Sequence, residues 1–247
     1  MLSFHVESWS AIAPGLESRD EWERWLQHPV AINEPLGKIQ LKNIPVLLRR
    51  RFNTLGKCAM GAAMPLVEGI HAIPSIFASR HGDTELTFSL LKAMGQDEPM
   101  SPTGFSLAVH NEVSGLFSIA RKDTSEVTSI AAMEGLLLQT LFEAIGQLQC
   151  VEKVLCVIYD IPLPDFYKNH CTDATESFPY AIAMILGSKD GISCSLEQTT
   201  AVAQHNLSDS NPLNSEPLAL LGLLTGITDE LELSQSGGNW RLTRLDS

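Results

Sequence analysis

The chain has 247 residues, with 17 basic and 29 acidic side chains and a formal net charge of −12. Hydrophobic residues make up 44% and charged residues 19%, which suits a packed globule of one or two domains rather than a disordered chain. The acidic charge argues against a nucleic-acid partner, because binding phosphates needs a basic face. The longest apolar run, Leu218 to Ile227, is well short of the ~18 residues of a membrane span. The N-terminus carries no export signal, so we expect a cytoplasmic protein.

The cysteines and histidines show no metal-binding or redox spacing. No Cys-x-x-Cys pair occurs, and the seven histidines are scattered. We therefore expect no metal and no cofactor. All five cysteines are predicted to be small buried hydrophobic side chains in a reduced compartment. They are Cys58, Cys150, Cys156, Cys171 and Cys194.

The first half of the chain is predicted to alternate between strands and helices. Alternation and apolar runs predict strands, and apolar residues at helical spacing predict helices. The strands are Leu2 to Ala13, Ile73 to Ser79 and Val127 to Ala131. The helices are Asp20 to Leu26, a long helix from Leu47 to Ala63 after Pro45, Glu85 to Met94 with Asp83 or Thr84 as cap, and Leu136 to Leu148. From Ser101 a loop leads into one more apolar helical face, formed by Val109, Val113, Leu116, Phe117 and Ala120.

Strands cluster in the second half of the chain. Val154 to Tyr159 is almost continuously hydrophobic, as expected for a strand covered on both faces of a sheet. Further strands are predicted at Tyr180 to Leu186 and Ile192 to Leu196, and a closing hairpin at Leu231 to Leu233 with Trp240 to Leu245. Between them come a polar loop, Ser208 to Pro217, and a helix, Leu218 to Leu224. This order predicts an α/β fold with a mixed sheet between helical layers.

One segment partly matches the nucleophile elbow of serine hydrolases. That motif needs a serine on a tight strand-to-helix turn with small neighbours, so that its oxygen projects. In Gly104-Phe105-Ser106-Leu107-Ala108 both neighbours of the serine are large, and alanine stands at the last position. An acyl hydrolase using Ser106 is an alternative function, and a loop or helix-start serine is the simpler interpretation.

Two other polar groups have a structural and a functional interpretation. His110, beside Asn111, is interpreted first as a hydrogen-bonded packing histidine. The basic cluster Arg49, Arg50 and Arg51 is interpreted first as a solvated helix face with one arginine in a salt bridge. The alternative for this cluster is a docking contact for an acidic partner.

Three segments together resemble the N-terminal half of β-ketoacyl synthases. They are Ser79-Arg80-His81-Gly82-Asp83, the stretch from Ser101 to Ile119 that contains His110-Asn111 and Gly115-Leu116-Phe117-Ser118-Ile119, and the strand Val127 to Ala132 entering a helix at Met133-Glu134-Gly135. The resemblance extends to short ketoacyl-synthase-like proteins and to chain-length-factor subunits of aryl polyene biosynthesis. It implies a thiolase-like fold, one half of the duplicated ketosynthase fold, as a single domain over residues 1–247.

The resemblance also implies that the chain lacks catalytic groups. In catalytic members the turn after the strand carries the cysteine that accepts the acyl chain, and the matching position here is Ala132. Losing a nucleophile can cost on the order of 10⁶ in rate. The family's second half supplies the catalytic histidines and lysine, and this chain is expected to end after about the first half. We therefore expect no autonomous condensation.

By resemblance, the chain is expected to be a non-catalytic partner of a full-length ketosynthase. The heterodimer interface and acyl pocket would be formed by Gly104, Phe105, Ala108, His110, Asn111, Ser114 and Gly115. Side-chain volume there would limit the length of a growing fatty-acid or polyketide chain. The acyl carrier protein would bind to the ketosynthase and would interact with this chain only indirectly. A homodimeric acyl-binding protein without such a partner stays open as a further alternative.

Overall fold

The structure, a computed structural model, describes residues 1–168, 176–200, 215–235 and 237–245. The strands are β1 (Leu2–Ile12), β2 (Ser75–Ala78), β3 (Val127–Ile130), β4 (Lys153–Asp160), β5 (Tyr180–Gly187), β6 (Ile192–Thr199), β7 (Glu230–Gln235) and β8 (Gly238–Arg244). The helices are α1 (Arg19–Gln27), α2 (Val46–Arg49), α3 (Thr54–Leu66), α4 (Thr84–Gly95), α5 (Pro102–Leu107), α6 (Glu112–Arg121), α7 (Leu136–Gln147), α8 (Asp165–Lys168) and α9 (Glu216–Thr225).

The described strands form one mixed sheet in the order β3-β2-β4-β5-β1-β6-β8-β7. Strands β3, β2 and β4 run parallel to one another, and every other neighbouring pair is antiparallel. β4 and β5 are buried almost throughout, which explains their continuous apolar sequences. The predicted mixed sheet is confirmed, and β3 and β7 are its two edges.

Helices cover both faces of the sheet, so the protein has two hydrophobic cores. Side chains of α1, α7 and α9 fill one core, and those of α3 and α6 fill the other. Successive side chains of β2 alternate between them: Ile76 and Ala78 enter the first core and Phe77 the second. The predicted helical layers are therefore present on both sides.

The long helix predicted from Leu47 to Ala63 is wrong, because the chain breaks it into α2 and α3. Asn53 adopts an extended conformation, and its side-chain oxygen accepts a hydrogen bond from the Gly56 N–H at 2.7 Å. This N-cap satisfies a backbone donor at the start of α3 and sets a new helix axis. The apolar residues around Asn53 have helical spacing and predict one continuous helix, whereas the Asn53 cap starts a new one.

Three further predictions need correction. The loop expected after Ser101 contains α5, which Ser101 caps by accepting the Gly104 N–H at 3.1 Å. Val109 lies before α6 and is exposed, so it does not belong to the buried face of that helix. The helix expected at Met133-Glu134-Gly135 begins instead at Leu136, because Gly135 takes a left-handed conformation with φ of +63°.

The cysteines are buried in three of the four described cases. Cys58, Cys156 and Cys194 are buried, whereas Cys150 is exposed in the turn that ends α7, contrary to expectation. Cys171 lies outside the described residues, as does the part of the predicted loop from Ser208 to Asn214. The last residues of that loop, Glu216 and Pro217, form the first turn of α9. Among the described helices, none is both long and apolar enough to cross a membrane.

Candidate functional site

The candidate site lies at the carboxyl ends of the three parallel strands. In sheets with parallel strands, ligands bind beyond these ends, where loops lead from strand to helix. Here the loop Ser79–Asp83 follows β2, the turn from Ala131 to Gly135 follows β3, and Asp160 ends β4. Three segments distant in sequence therefore meet at one edge of the sheet.

Asp160 organises the loop after β2. Its carboxylate is 3% exposed and accepts hydrogen bonds from the Ser79 hydroxyl at 2.7 Å and from the Arg80 N–H at 3.0 Å. The His81 N–H also donates to it, at 3.3 Å, and the Ser79 hydroxyl oxygen in turn accepts the Gly82 N–H at 2.8 Å. Burial nevertheless raises the pKa of Asp160 to about 6. This carboxylate fixes the loop rather than facing a ligand.

Arg80 connects this loop to the turn after β3. Its guanidinium donates to the carbonyl oxygen of Met133 through Nε at 3.2 Å and Nη2 at 3.0 Å. Two residues later, Gly135 enters α7 with a positive φ, and a side chain there would meet Gln235 of β7 at 3.1 Å. The turn between β3 and α7 is thus held from both sides by this chain's own residues.

Ala132 lies in that turn, and its side chain is a methyl group. The described buried cysteines lie elsewhere: Cys58 is in α3, Cys156 is inside β4, and burial raises the pKa of both thiols. Ser106 is not on a strand-to-helix turn either; it lies inside α5 and donates to the carbonyl of Thr103 at 2.8 Å. The geometry that a nucleophile elbow requires is therefore absent at Ser106, because no strand leads into α5.

A groove of about 570 Å³ opens beside Ala132. Its apolar wall comes from the end of β3 and from Phe142 of α7, and its polar wall includes Glu134 and Glu143. The Glu143 carboxylate accepts hydrogen bonds from the side chains of Thr128 and Gln147. The groove is shallow enough to remain open on one side, next to edge strand β3.

The predicted pocket residues lie in α5, in the connection to α6 and in α6 itself. Phe105 is 62% exposed, whereas Gly104 and Ala108 are half-buried. Asn111 is exposed at the start of α6, and Gly115 is exposed with open space where a Cβ would be. Each of these five residues is at least partly accessible to solvent, and none of them lines the groove beside Ala132.

Two other predicted residues face inward. Ser114 is buried, donates to the carbonyl of Asn111 at 3.0 Å and shares a 2.8 Å hydrogen bond with Ser129 of β3. Its hydroxyl thus connects α6 to the chain's own sheet, and a role of Ser114 in the interface stays a prediction. His110 is half-buried and its Nε2 lies 2.8 Å from the carbonyl oxygen of Ile130, so it ties the α6 entry to the end of β3.

A buried glutamate next to a half-buried aspartate, near the start of α6, is not evident from the sequence. Glu112 is 7% exposed, and burial together with the nearby Asp83 raises its pKa to about 7. The charge of Arg51 and a hydrogen bond with Asn53 act in the opposite direction. Asn53 also donates to Asp83, which caps α4 by accepting the Leu86 N–H at 2.9 Å. This cluster joins the starts of α3, α4 and α6.

Arg80 is surrounded by further carboxyl groups that the sequence did not single out. Burial raises the pKa of Glu176, and it raises that of Glu216 to about 7, while the charge of Arg80 opposes both shifts. Glu216 also accepts the Leu137 N–H in the first turn of α7. An acid placed directly after a buried strand, as Asp160 is, was the one signal in the sequence that could have located this cluster. Within the described ranges, no three metal-ligating side chains come together.

The fold is that of ketosynthases. The family model for the β-ketoacyl synthase N-terminal domain matches residues 22–242, and the chain belongs to that family. Its thiolase-like fold is shared with a β-ketoacyl synthase from Burkholderia phymatum STM815, at a TM-score of 0.62 and 10% identity over 93% of this chain and 71% of that one.

A more similar structure is a ketosynthase (ApeO) in complex with its chain length factor (ApeC) from Xenorhabdus doucetiae. One chain of it is 30% identical to this protein, at a TM-score of 0.81, over 99% of this chain and 100% of that one. A structure of a type II polyketide synthase acyl-carrier protein with its ketosynthase (AntDE:AntF) matches at a TM-score of 0.64 and 10% identity, over 98% of both chains. No curated protein is significantly similar.

Proposed function

We propose that this chain is a non-catalytic, chain-length-factor-like subunit that pairs with a full-length β-ketoacyl-[acyl carrier protein] synthase. The observation that carries the proposal is Ala132. It occupies the turn between β3 and α7 where the family's nucleophilic cysteine belongs, and a methyl group forms no thioester. The chain's contribution to condensation is then the surface it presents to another polypeptide.

The similarity to the ApeO–ApeC complex supports a paired subunit. The matched chain is covered completely by this protein, so the two have nearly the same length. That structure contains a ketosynthase together with its chain length factor. We infer the same arrangement here, in aryl-polyene-type elongation, with the single domain of residues 1–247 acting in the cytoplasm and the acyl carrier protein docking on the ketosynthase.

The surface around β3 supports the same proposal. As an edge strand, β3 has backbone donors and acceptors on its outer side that another strand can pair with. Five large hydrophobic side chains in the surrounding segment are exposed: Met100, Phe105, Val109, Ile119 and Met133. Exposed apolar side chains and an open strand edge in one part of the chain are features that protein–protein interfaces use.

A matched pair of substitutions tests this surface. Ile119→Arg adds a charge to the exposed face of α6 next to β3, where Ile119 is 60% exposed. Ile227→Arg makes the same change beyond α9, near the opposite edge of the sheet, where Ile227 is 42% exposed. On co-expression with the ketosynthase, we expect Ile119→Arg to abolish co-purification and Ile227→Arg to preserve the 1:1 complex. Equal co-purification of both variants would contradict the proposed interface.

A second pair tests the control of chain length. Ala108→Phe enlarges a half-buried residue of the predicted pocket, and Ala219→Phe enlarges a half-buried residue of α9. We expect the intact complex with Ala108→Phe to release shorter products, because overpacking a pocket costs ~1–3 kcal/mol. Ala219→Phe should leave the product length unchanged. An unaltered length in an intact Ala108→Phe complex would exclude this residue from the pocket, without affecting the pairing itself.

A further inference from the structure

A second cavity, next to α2 and the start of α3, has no role in the proposed function. It has a volume of about 990 Å³ and lies between the extended segment 35–41, helix α2, the start of α3 and residues 161–162. Small-molecule sites have volumes of roughly 300–1,000 Å³. This cavity is therefore large enough for one small molecule, and it is separate from the groove beside Ala132.

The cavity concentrates positive charge in an acidic protein. Four cations line it, and one carboxylate, Glu85 at the start of α4, stands beside them. No described residue forms an ion pair or a side-chain hydrogen bond with any of the four cations, and the buried Nε of Arg49 is without a partner among the described residues. The four are Lys38, Arg49, Arg50 and Lys57. The salt bridge predicted for the arginine cluster is thus not formed by Arg49 or Arg50.

The wall formed by residues 35–41 also leaves hydrogen-bonding groups free. Residues 31–40 make no hydrogen bond to any other described residue. Backbone N–H groups that the protein does not satisfy require water or a ligand. The guanidinium and ammonium groups that line the cavity are themselves donors suited to an oxyanion.

Most of the remaining lining is apolar, including Ile39, Val46, Ile161 and Pro162, and Gln40 and Thr54 are its polar members. A cavity lined by both cationic and apolar side chains fits a molecule with a charged head and a hydrophobic tail. An acidic protein fits less well, because a stable complex buries about 800 Å² on each partner and the net charge of −12 repels it at long range.

We propose that this cavity binds a small anionic amphiphile, with a phosphate or carboxylate head held by Arg49, Arg50, Lys38 and Lys57 and an alkyl tail on the apolar wall. The proposal does not depend on the pairing with a ketosynthase. Head and tail each contribute, so neither an uncharged alcohol nor a free inorganic anion should bind as tightly as the complete molecule.

Isothermal titration calorimetry on the full chain tests this assignment. The ligands are decyl phosphate, decanoate, decanol and inorganic phosphate, all below micelle-forming concentrations. We expect decyl phosphate or decanoate to bind, and the stronger of the two identifies the head group. Decanol and inorganic phosphate should each bind at least about tenfold more weakly, since a charge-assisted hydrogen bond contributes that much.

Two variants locate the binding. Arg49→Gln combined with Lys57→Gln should weaken binding of the amphiphile at least about tenfold, whereas Lys189→Gln, in the exposed turn between β5 and β6, should not. Higher salt should weaken binding of the charged ligands and leave that of decanol unchanged. Equal binding of decanol, equal effects of the two sets of variants, or an absence of amphiphile binding up to about 1 mM would overturn the proposal. Binding of an acidic carrier protein alone, blocked by the same double variant, would also overturn it.

Discussion

Replacing Glu112 with glutamine should make the protein more stable at neutral and alkaline pH. Glu112 is buried at the point where α3, α4 and α6 begin, and burial with the neighbouring Asp83 raises its pKa from 4.5 to about 7. One pKa unit corresponds to 1.36 kcal/mol, so ionising this carboxyl in the folded state costs about 3 kcal/mol of stability.

The sign of the pH dependence follows from which state holds the proton. Below about pH 4 Glu112 is protonated in both states and nothing is lost. Between the unfolded pKa of 4.5 and the folded value of about 7, the unfolded chain releases the proton and the folded chain keeps it, so stability falls as pH rises. Above about pH 7 Glu112 is ionised in both states, so the loss of stability no longer changes with pH. Glutamine stays neutral and is free of this loss at every pH.

Urea denaturation at pH 5.5 and at pH 8.5 measures the effect. The free energy of unfolding of Glu112→Gln minus that of the unmodified protein should be about 2 kcal/mol larger at pH 8.5 than at pH 5.5. The reason is that the unfolded chain is already ionised at pH 5.5, whereas the folded chain keeps its proton up to about pH 7. Glu68→Gln, at an exposed position after α3, is the matched control and should show no such change. A Glu112→Gln difference that is the same at both pH values would refute the reasoning.

Three further substitutions probe the framework around the site. Asp160→Ala should lower the free energy of unfolding by about 3 kcal/mol in urea denaturation, because three donors lose a buried acceptor; a loss below about 0.5 kcal/mol would contradict its organising role. Gly135→Ala should lower the melting temperature, because its φ is +63°, whereas Gly146→Ala in the same helix should raise it or leave it unchanged; equal shifts would count against strain at the turn. Trp22→Phe should cost about 1–2 kcal/mol by removing the 2.9 Å bond to the Ala11 carbonyl, and intact stability by calorimetry would disprove it.

The sequence predicted elements whose signals are local. β4 and β5 are apolar throughout because both faces are covered, and the hairpin of β7 and β8 is marked by the glycines between its strands. The break between α2 and α3 was missed, because it depends on one capping side chain, Asn53, within a run of good helix formers. The Asn53 cap therefore determines where α3 begins, although the apolar spacing continues through this position.

The candidate site was predictable only in part. The sequence predicted a turn around Ala132 between a strand and a helix, and the structure has that turn between β3 and α7. That the family's nucleophile lies at this position stays a prediction from the resemblance. The inward orientation of Ser114 could not be predicted. Residues one position apart on a helix face different neighbours, and the sequence alone does not fix how α6 is rotated about its axis. The cluster of Arg80, Asp160 and Glu216 arises from three distant segments, and only Asp160, at the end of a buried strand, gives a signal in the sequence.

Native mass spectrometry of the chain co-expressed with its ketosynthase, after loading with an acyl donor, tests the central claim most directly. The account predicts a 1:1 heterodimer in which the acyl group is attached to the ketosynthase alone, because Ala132 offers no sulfur. An acyl adduct on this chain, or a chain that forms only homodimers beside an intact ketosynthase, would contradict it.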